Sequence, residues 1–121
     1  MPDDEHIVEL HLPAKELSPN ARVHWSKSSR AKKAYRHAAY ILALDSGVRG
    51  LKFESYRLEF TFKDNRRRDR DNATASMKSA LDGIADAVKQ DDSEWEFDGV
   101  RFTEPNKENP CVKVIFKIQG A

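Results

Sequence analysis

The sequence predicts an α/β (α+β) fold: a small mixed β-sheet with two main helices, in the order β-α-β-α-β-β. Three observations carry that expectation. "SYRLEFTFK" (55–63) and "CVKVIFKI" (111–118) alternate apolar and polar residues at strand spacing. Two other stretches, 26–45 and the one that follows Asp71, repeat apolar residues at helical spacing. Turn-forming residues separate these segments. At 121 residues the chain is expected to form a single domain, 1–121.

"IVELHL" (7–12) alternates and then meets Pro13, which predicts a short first strand. Ser18, Pro19 and Asn20 supply turn chemistry. Along 26–45, Ala31, Ala34, Tyr35, Ala38, Ile41 and Leu42 fall on one helix face, and Gly47 is the stop. In 55–63, Tyr56, Leu58, Phe60 and Phe62 face one way, with Arg57, Glu59 and Thr61 opposite. The second helix is expected to be capped by Asp71 or Asn72 and to bury Ala73, Met77, Ala80, Leu81, Ile84 and Val88. "KQDDSEW" ends it. "GVRFTE" (99–104) reads as a weak strand, 105–110 as a turn and 111–118 as the last strand, with both helices on one face of the sheet.

Composition narrows the function classes. The single Cys111 excludes an intrachain disulfide framework and a cysteine-cluster zinc site. No apolar run approaches the roughly 18 residues of a membrane span. "MPDDEHIVEL" lacks the pattern of a signal peptide. The expected location is therefore the cytoplasm, with no membrane partner. A net charge of +1 offers no whole-molecule attraction to nucleic acid. The distribution says more. Arg22, Lys27, Arg30, Lys32, Lys33 and Arg36 occur with no acidic residue among them, and Arg66, Arg67, Arg68 and Arg70 form a second basic cluster. Residues 82–98 are mostly acidic where they are charged. A solvated surface explains any one of these blocks taken singly.

The segment "RRRDRDN" (66–72) places two carboxylates inside the most basic stretch of the chain. If the preceding strand stays extended, Asp69 and Asp71 share a face and Arg70 points away. Two adjacent carboxylates repel, and a divalent cation removes that cost. Mg²⁺ takes hard oxygen ligands and keeps several waters, so two or three carboxylates suffice. Asp91 or Asp92 could supply the third. Lys78 lies about two helical turns after Asp71, on the face that also carries Thr74 and Asp82. There its ammonium could neutralise charge developing at a phosphate. Arginines on either side would hold flanking phosphates. The plainer account stays open at each position: a charged loop paired with its own arginines, a helix cap, a solvated lysine.

Read together, "RRRDRDN", "MKSALDGIADAV" and "DDSEW", with the upstream "LSPNARVHWSKSSRAKKAYR", resemble the RusA family of Holliday junction resolvases in its phage and prophage form. The likeness runs from about residue 7 to about residue 118. It implies a homodimeric, Mg²⁺-dependent endonuclease (Mn²⁺ being the alternative ion) that binds four-way DNA junctions. Such an enzyme nicks two strands symmetrically during DNA recombination and repair. It further implies that Asp69, Asp71 and Asp92 are the essential metal-binding and catalytic acids, with Asp91 their neighbour, Lys78 the helix lysine and Arg68 the arginine before the first aspartate. Two features depart from the best-known members. Lys78 follows Asp71 by seven residues rather than four, a spacing the phage form shares, and Arg70 stands between the aspartates where an apolar residue or proline is frequent.

On this reading Arg66, Arg67 and Arg68, with Arg22, Lys27, Arg30 and Lys33, contact the DNA backbone. Two other functions remain: a non-catalytic DNA-binding module, and a metal nuclease for other branched DNA. Tyr35 is expected in the core. Trp25 and Trp95 fit either core packing or base stacking. His24 and His37 lack metal-ligand spacing and are expected to be surface or structural.

Overall fold

The computed structural model describes residues 4–120. Its elements are β1 (Glu5–Leu10), α1 (Trp25–Ser46), β2 (Phe53–Thr61), α2 (Arg70–Ala75), α3 (Lys78–Val88), β3 (Glu96–Phe102) and β4 (Cys111–Ile118). Two 3-10 turns, Lys15–Leu17 and Asp92–Glu94, lie between them. The strands form one mixed sheet in the order β1-β4-β2-β3. β4 is antiparallel to both β1 and β2, whereas β2 and β3 run parallel. A parallel pair needs a crossover, and here α2 and α3 make it. The architecture is the small mixed sheet with helices that the alternation and helical spacing predict.

The core lies between the sheet and the two longer helices. Val8, Leu10, Phe53, Leu58, Phe60, Val112, Val114 and Phe116 from the strands meet Tyr35, Ala39, Ala43, Met77, Ala80 and Ile84 from the helices. Trp95 is buried in this core, in edge contact with Phe116 at a centroid distance of 4.9 Å, which resolves its role in favour of packing. Tyr35 is buried as expected, and its hydroxyl donates to the His11 carbonyl at 2.7 Å. Trp25 is the opposite case, 74% exposed at the start of α1. His24 caps that helix: its Nδ1 accepts from the Ser26 N–H at 3.2 Å.

Four sequence expectations need correction. First, the extended segment stops at Thr61, and Asp71 is already helical, so the shared strand face of Asp69 and Asp71 does not exist. Second, the cap of the following helix is Asp69, not Asp71 or Asn72. Third, the second helix is broken into α2 and α3 at Ser76–Met77. The Thr74 hydroxyl donates to the Arg70 carbonyl at 2.8 Å and the Ser76 hydroxyl to the Ala73 carbonyl at 2.6 Å. Such back-bonding competes with the helix ladder and bends it. The Met77 N–H bonds the Thr74 carbonyl, a tighter turn, while the Met77 side chain drops fully into the core. Two continuous turns therefore do not connect Asp71 to Lys78. Fourth, the buried face of α1 is Tyr35, Ala39 and Ala43, whereas Ala34 and Ile41 are exposed. Gly47 does end α1, in the left-handed region at φ 92°.

Candidate functional site

The loop between β2 and α2 is organised by Arg68. Its guanidinium donates to the Asp64 carboxylate at 2.8 Å and to the carbonyls of Asp64 and Arg66, each at 3.0 Å. It also stacks over the Phe62 ring, 4.0 Å from the centroid. The Arg66 N–H and the Arg68 side chain together hold the Asp64 carboxyl below its ordinary range. Arg68 is thus a brace inside the loop. Arg66 makes a longer pair with Asp64, 3.8 Å, and Arg67 and Arg70 are exposed.

Asp69 follows in extended conformation. One oxygen, Oδ1, accepts from the N–H groups of Asp71 and Asn72, at 2.8 and 3.1 Å. This satisfies backbone donors that the first turn of α2 would otherwise leave open. Asp71 stands exposed on that first turn, and its carboxylate makes no hydrogen bond or ion pair among the described residues. Arg67, Arg68, Asp69, Arg70 and Asp71 line a depression of about 420 Å³.

A second acidic centre lies at the start of α3. Lys78 Nζ is 3.1 Å from Asp82 Oδ1 and 3.5 Å from Asp92 Oδ2. Hydrogen bonding to these carboxylates, Asp82 first, raises the Lys78 pKa. Asp92 responds in the opposite sense to a simple ion pair. The neighbouring Asp82 carboxyl and burial raise its pKa, and the pull of Lys78 does not reverse this. A like charge and partial desolvation outweigh one exposed ammonium. Asp91 caps the 3-10 turn through the Ser93 N–H at 2.9 Å, which lowers its pKa. Gln90 anchors this turn to β2, exchanging two hydrogen bonds with the backbone of Phe53, at 2.8 and 3.0 Å.

The structure therefore separates the carboxylates into two pairs. Asp69 and Asp71 flank the start of α2, while Asp92 sits with Lys78 and with Asp82. Among the described residues no three His, Cys, Asp or Glu side chains gather as a metal-binding group. In kind, the four aspartates suit Mg²⁺, which takes hard carboxylate oxygens and retains waters. Asp82 is the member that sequence reading did not assign. Its signal was present: "KSALD" sets Lys78 and Asp82 four apart on one helix.

Arg22, Lys27, Arg30 and Lys33 are exposed on α1 and the loop before it. Arg36 pairs with Asp86 of α3 at 2.8 Å. Between the 16–23 segment, α1 and the Ala75–Asp82 stretch opens a cleft of about 640 Å³ that includes Lys32, Lys33, Arg36, Lys78 and Asp82.

Comparison with known proteins adds little. No protein-family model matches the chain. A Xylella fastidiosa protein named only "Uncharacterized protein" is 44% identical over 90 residues, covering 70% of this chain and 59% of that protein. The chain thus spans about 59% of the length of that relative. Among solved structures, the crystal structure of 2C-methyl-D-erythritol 2,4-cyclodiphosphate synthase from Plasmodium vivax aligns with 78% of this chain and 57% of its own. Identity is 9% and the TM-score 0.32, a likeness with no bearing on what this chain does.

Proposed function

We propose that the chain is a metal-dependent, structure-specific endodeoxyribonuclease that resolves four-way DNA junctions by paired nicks, as its resemblance to the RusA family implies. The observation that carries this reading is the contact of Lys78 with Asp92, 14 positions apart, because it joins the helix lysine of one motif to the aspartate of the next.

Asp69, Asp71 and Asp92 do not converge as a three-carboxylate group among the described residues; drawn together on the DNA they would hold a divalent cation, Mg²⁺ or Mn²⁺, which would supply Lewis-acid activation of the phosphate and of water. The remaining work belongs to the chain. Asp69 fixes the start of α2 and so the direction of Asp71. Asp82 and Asp92 hold the Lys78 ammonium in place, where it can neutralise charge developing on a phosphate oxygen. Arg67 and Arg70, with Arg22, Lys27, Arg30 and Lys33, are exposed cations that can take the flanking phosphates. Contacts of that kind position a duplex without reading its sequence. Arg68 supports them from within the loop.

Two symmetric nicks call for a two-fold protein, so the active form is proposed as a homodimer. Sedimentation that finds only monomer at working concentration contradicts the paired-nick model. No helix among the described residues is long and apolar enough to cross a membrane, and a cytoplasmic DNA substrate is the proposed setting.

A second reading is favoured by a specific feature. Asp69 caps a helix and Lys78 bridges Asp82 and Asp92, so each has a structural role without a metal. The chain would then be a DNA-binding module without catalysis. Substrate comparison separates the two. Four-way junction, flap and plain duplex are incubated with the protein in Mg²⁺ and again in EDTA. The proposed function predicts junction cleavage that EDTA abolishes. A preference for flaps points to another branched substrate, and binding without strand loss in either buffer contradicts the nuclease.

A further inference from the structure

The 640 Å³ cleft beside Lys78 shares Lys33, Lys78 and Asp82 with the junction nuclease reading, which gives no role to Trp25, Lys32 and Ser79 on the same lining. Its volume falls within the range of about 300–1,000 Å³ usual for small-ligand sites. Trp25, 74% exposed, stands on its wall, and the one ring beside it among the described residues is that of exposed His24, with centroids 5.6 Å apart. Lys32 and Lys33 line it and form no ion pair among the described residues. Ser79 also lines it. That side chain is 9% exposed, and its Oγ is buried with no hydrogen-bond partner among the described residues. An orphaned buried hydroxyl is costly and calls for a partner. A serine turns about a single bond, so its hydroxyl can be redirected at small cost.

An exposed aromatic ring, two unpaired cations and an orphaned hydroxyl in one cleft match the three parts of a nucleotide. The ring offers a stacking platform, the ammonium groups take phosphate, and the hydroxyl meets a polar edge. We propose that this cleft holds one unstacked nucleotide of a DNA strand, its base against Trp25 and its phosphates toward Lys32 and Lys33. The inference rests on the DNA-cleaving reading above and deepens it. A branch point is where bases are most readily unstacked, and the cleft shares Lys78 and Asp82 with the candidate site.

The test uses a short fluorescein-labelled single strand and a labelled four-way junction, with affinities from fluorescence anisotropy at low salt. Trp25 is the acrylamide-accessible tryptophan, because Trp95 is buried. Binding of either DNA is expected to quench that accessible emission and shield it. Trp25→Ala is expected to weaken binding about tenfold. Ser79→Ala is expected to weaken it about threefold to tenfold while leaving the melting temperature unchanged or higher, since it removes an unsatisfied group. Normal DNA binding by both variants, with Trp25 still open to acrylamide in the wild-type complex, would overturn the cleft proposal and leave the nuclease reading standing. Failure of the wild type to bind either DNA would overturn both.

Discussion

The α-carbon of Gly83 in α3 lies against the carbonyl of Arg36 in α1, so close that a Cβ at Gly83 would collide with the Arg36 oxygen. This approach draws α1 onto α3 and brings the basic side of one helix beside Lys78 and Asp82 of the other. Helix propensity alone would make Gly83→Ala stabilising by about 1 kcal/mol. A backbone carbonyl cannot rotate away as a side chain can, and overpacking here costs about 3 kcal/mol. The net expectation is a loss of about 2 kcal/mol in urea unfolding. A midpoint equal to or above wild type contradicts the close approach.

Asp69 combines two roles that substitution can separate. Asparagine caps a helix about as well as aspartate. Asp69→Asn is therefore expected to keep stability within about 0.5 kcal/mol of wild type, whereas Asp69→Ala loses about 1 kcal/mol. Both are expected to lose junction cleavage, because the charge is gone in each. Full activity in a stably folded Asp69→Asn would reduce Asp69 to a cap.

Neighbouring arginines should differ in kind. Arg67 is exposed, and Arg67→Ala is expected to weaken binding to all DNA shapes and lower the salt slope by about 1. Arg68 braces the loop through Asp64 and Phe62. Arg68→Ala is expected to lower the melting temperature and impair cleavage more than its loss of DNA affinity explains. Thermal melts beside binding isotherms at several salt concentrations read both effects. Equal behaviour of the two variants would contradict the division.

His6 sets an acid-side dependence of stability. Its Nε2 lies 2.8 Å from the Ser46 hydroxyl, its ring stacks near Phe53, and burial depresses its pKa below 6.5. With the folded pKa below the unfolded one, the unfolded chain binds the proton more readily. The contribution is full above the unfolded pKa and is lost as pH falls through the folded one. Unfolding midpoints at about pH 7.5 and about pH 5.5 are expected to differ less in His6→Gln than in wild type. An unchanged difference contradicts this.

The parts of the fold legible in the sequence are those with a clean period. "CVKVIFKI" forms β4 over the predicted residues, and Gly47 stops α1 where predicted. What periodicity missed were events set by single contacts. The Thr74 and Ser76 hydroxyls break a helix whose apolar spacing runs on undisturbed. On α1, apolar type did not distinguish Ala34 from Ala39. The tight packing around Gly83 favours a line of small residues, Ala39 and Ala43, and leaves Ile41 outside. A glycine inside an apolar helical stripe was the available clue. At the candidate site, the shared face expected for Asp69 and Asp71 required an extended chain, and the helix that begins at Arg70 removes it. The partnership of Asp92 with Asp82 depends on how the turn after α3 folds back, which Gln90 fixes through Phe53.

The most direct measurement is a nicking assay on an end-labelled four-way junction in Mg²⁺, comparing wild type with Asp71→Asn. Asp71 carries an exposed carboxylate with no partner among the described residues, so the substitution should leave the fold intact. Paired nicks near the branch point are expected for the wild type. In the variant their loss is expected while junction binding persists. Binding without cleavage by the wild type, in Mg²⁺ and in Mn²⁺ alike, would contradict the proposed function and return Asp69 and Asp71 to a charged loop at the start of a helix.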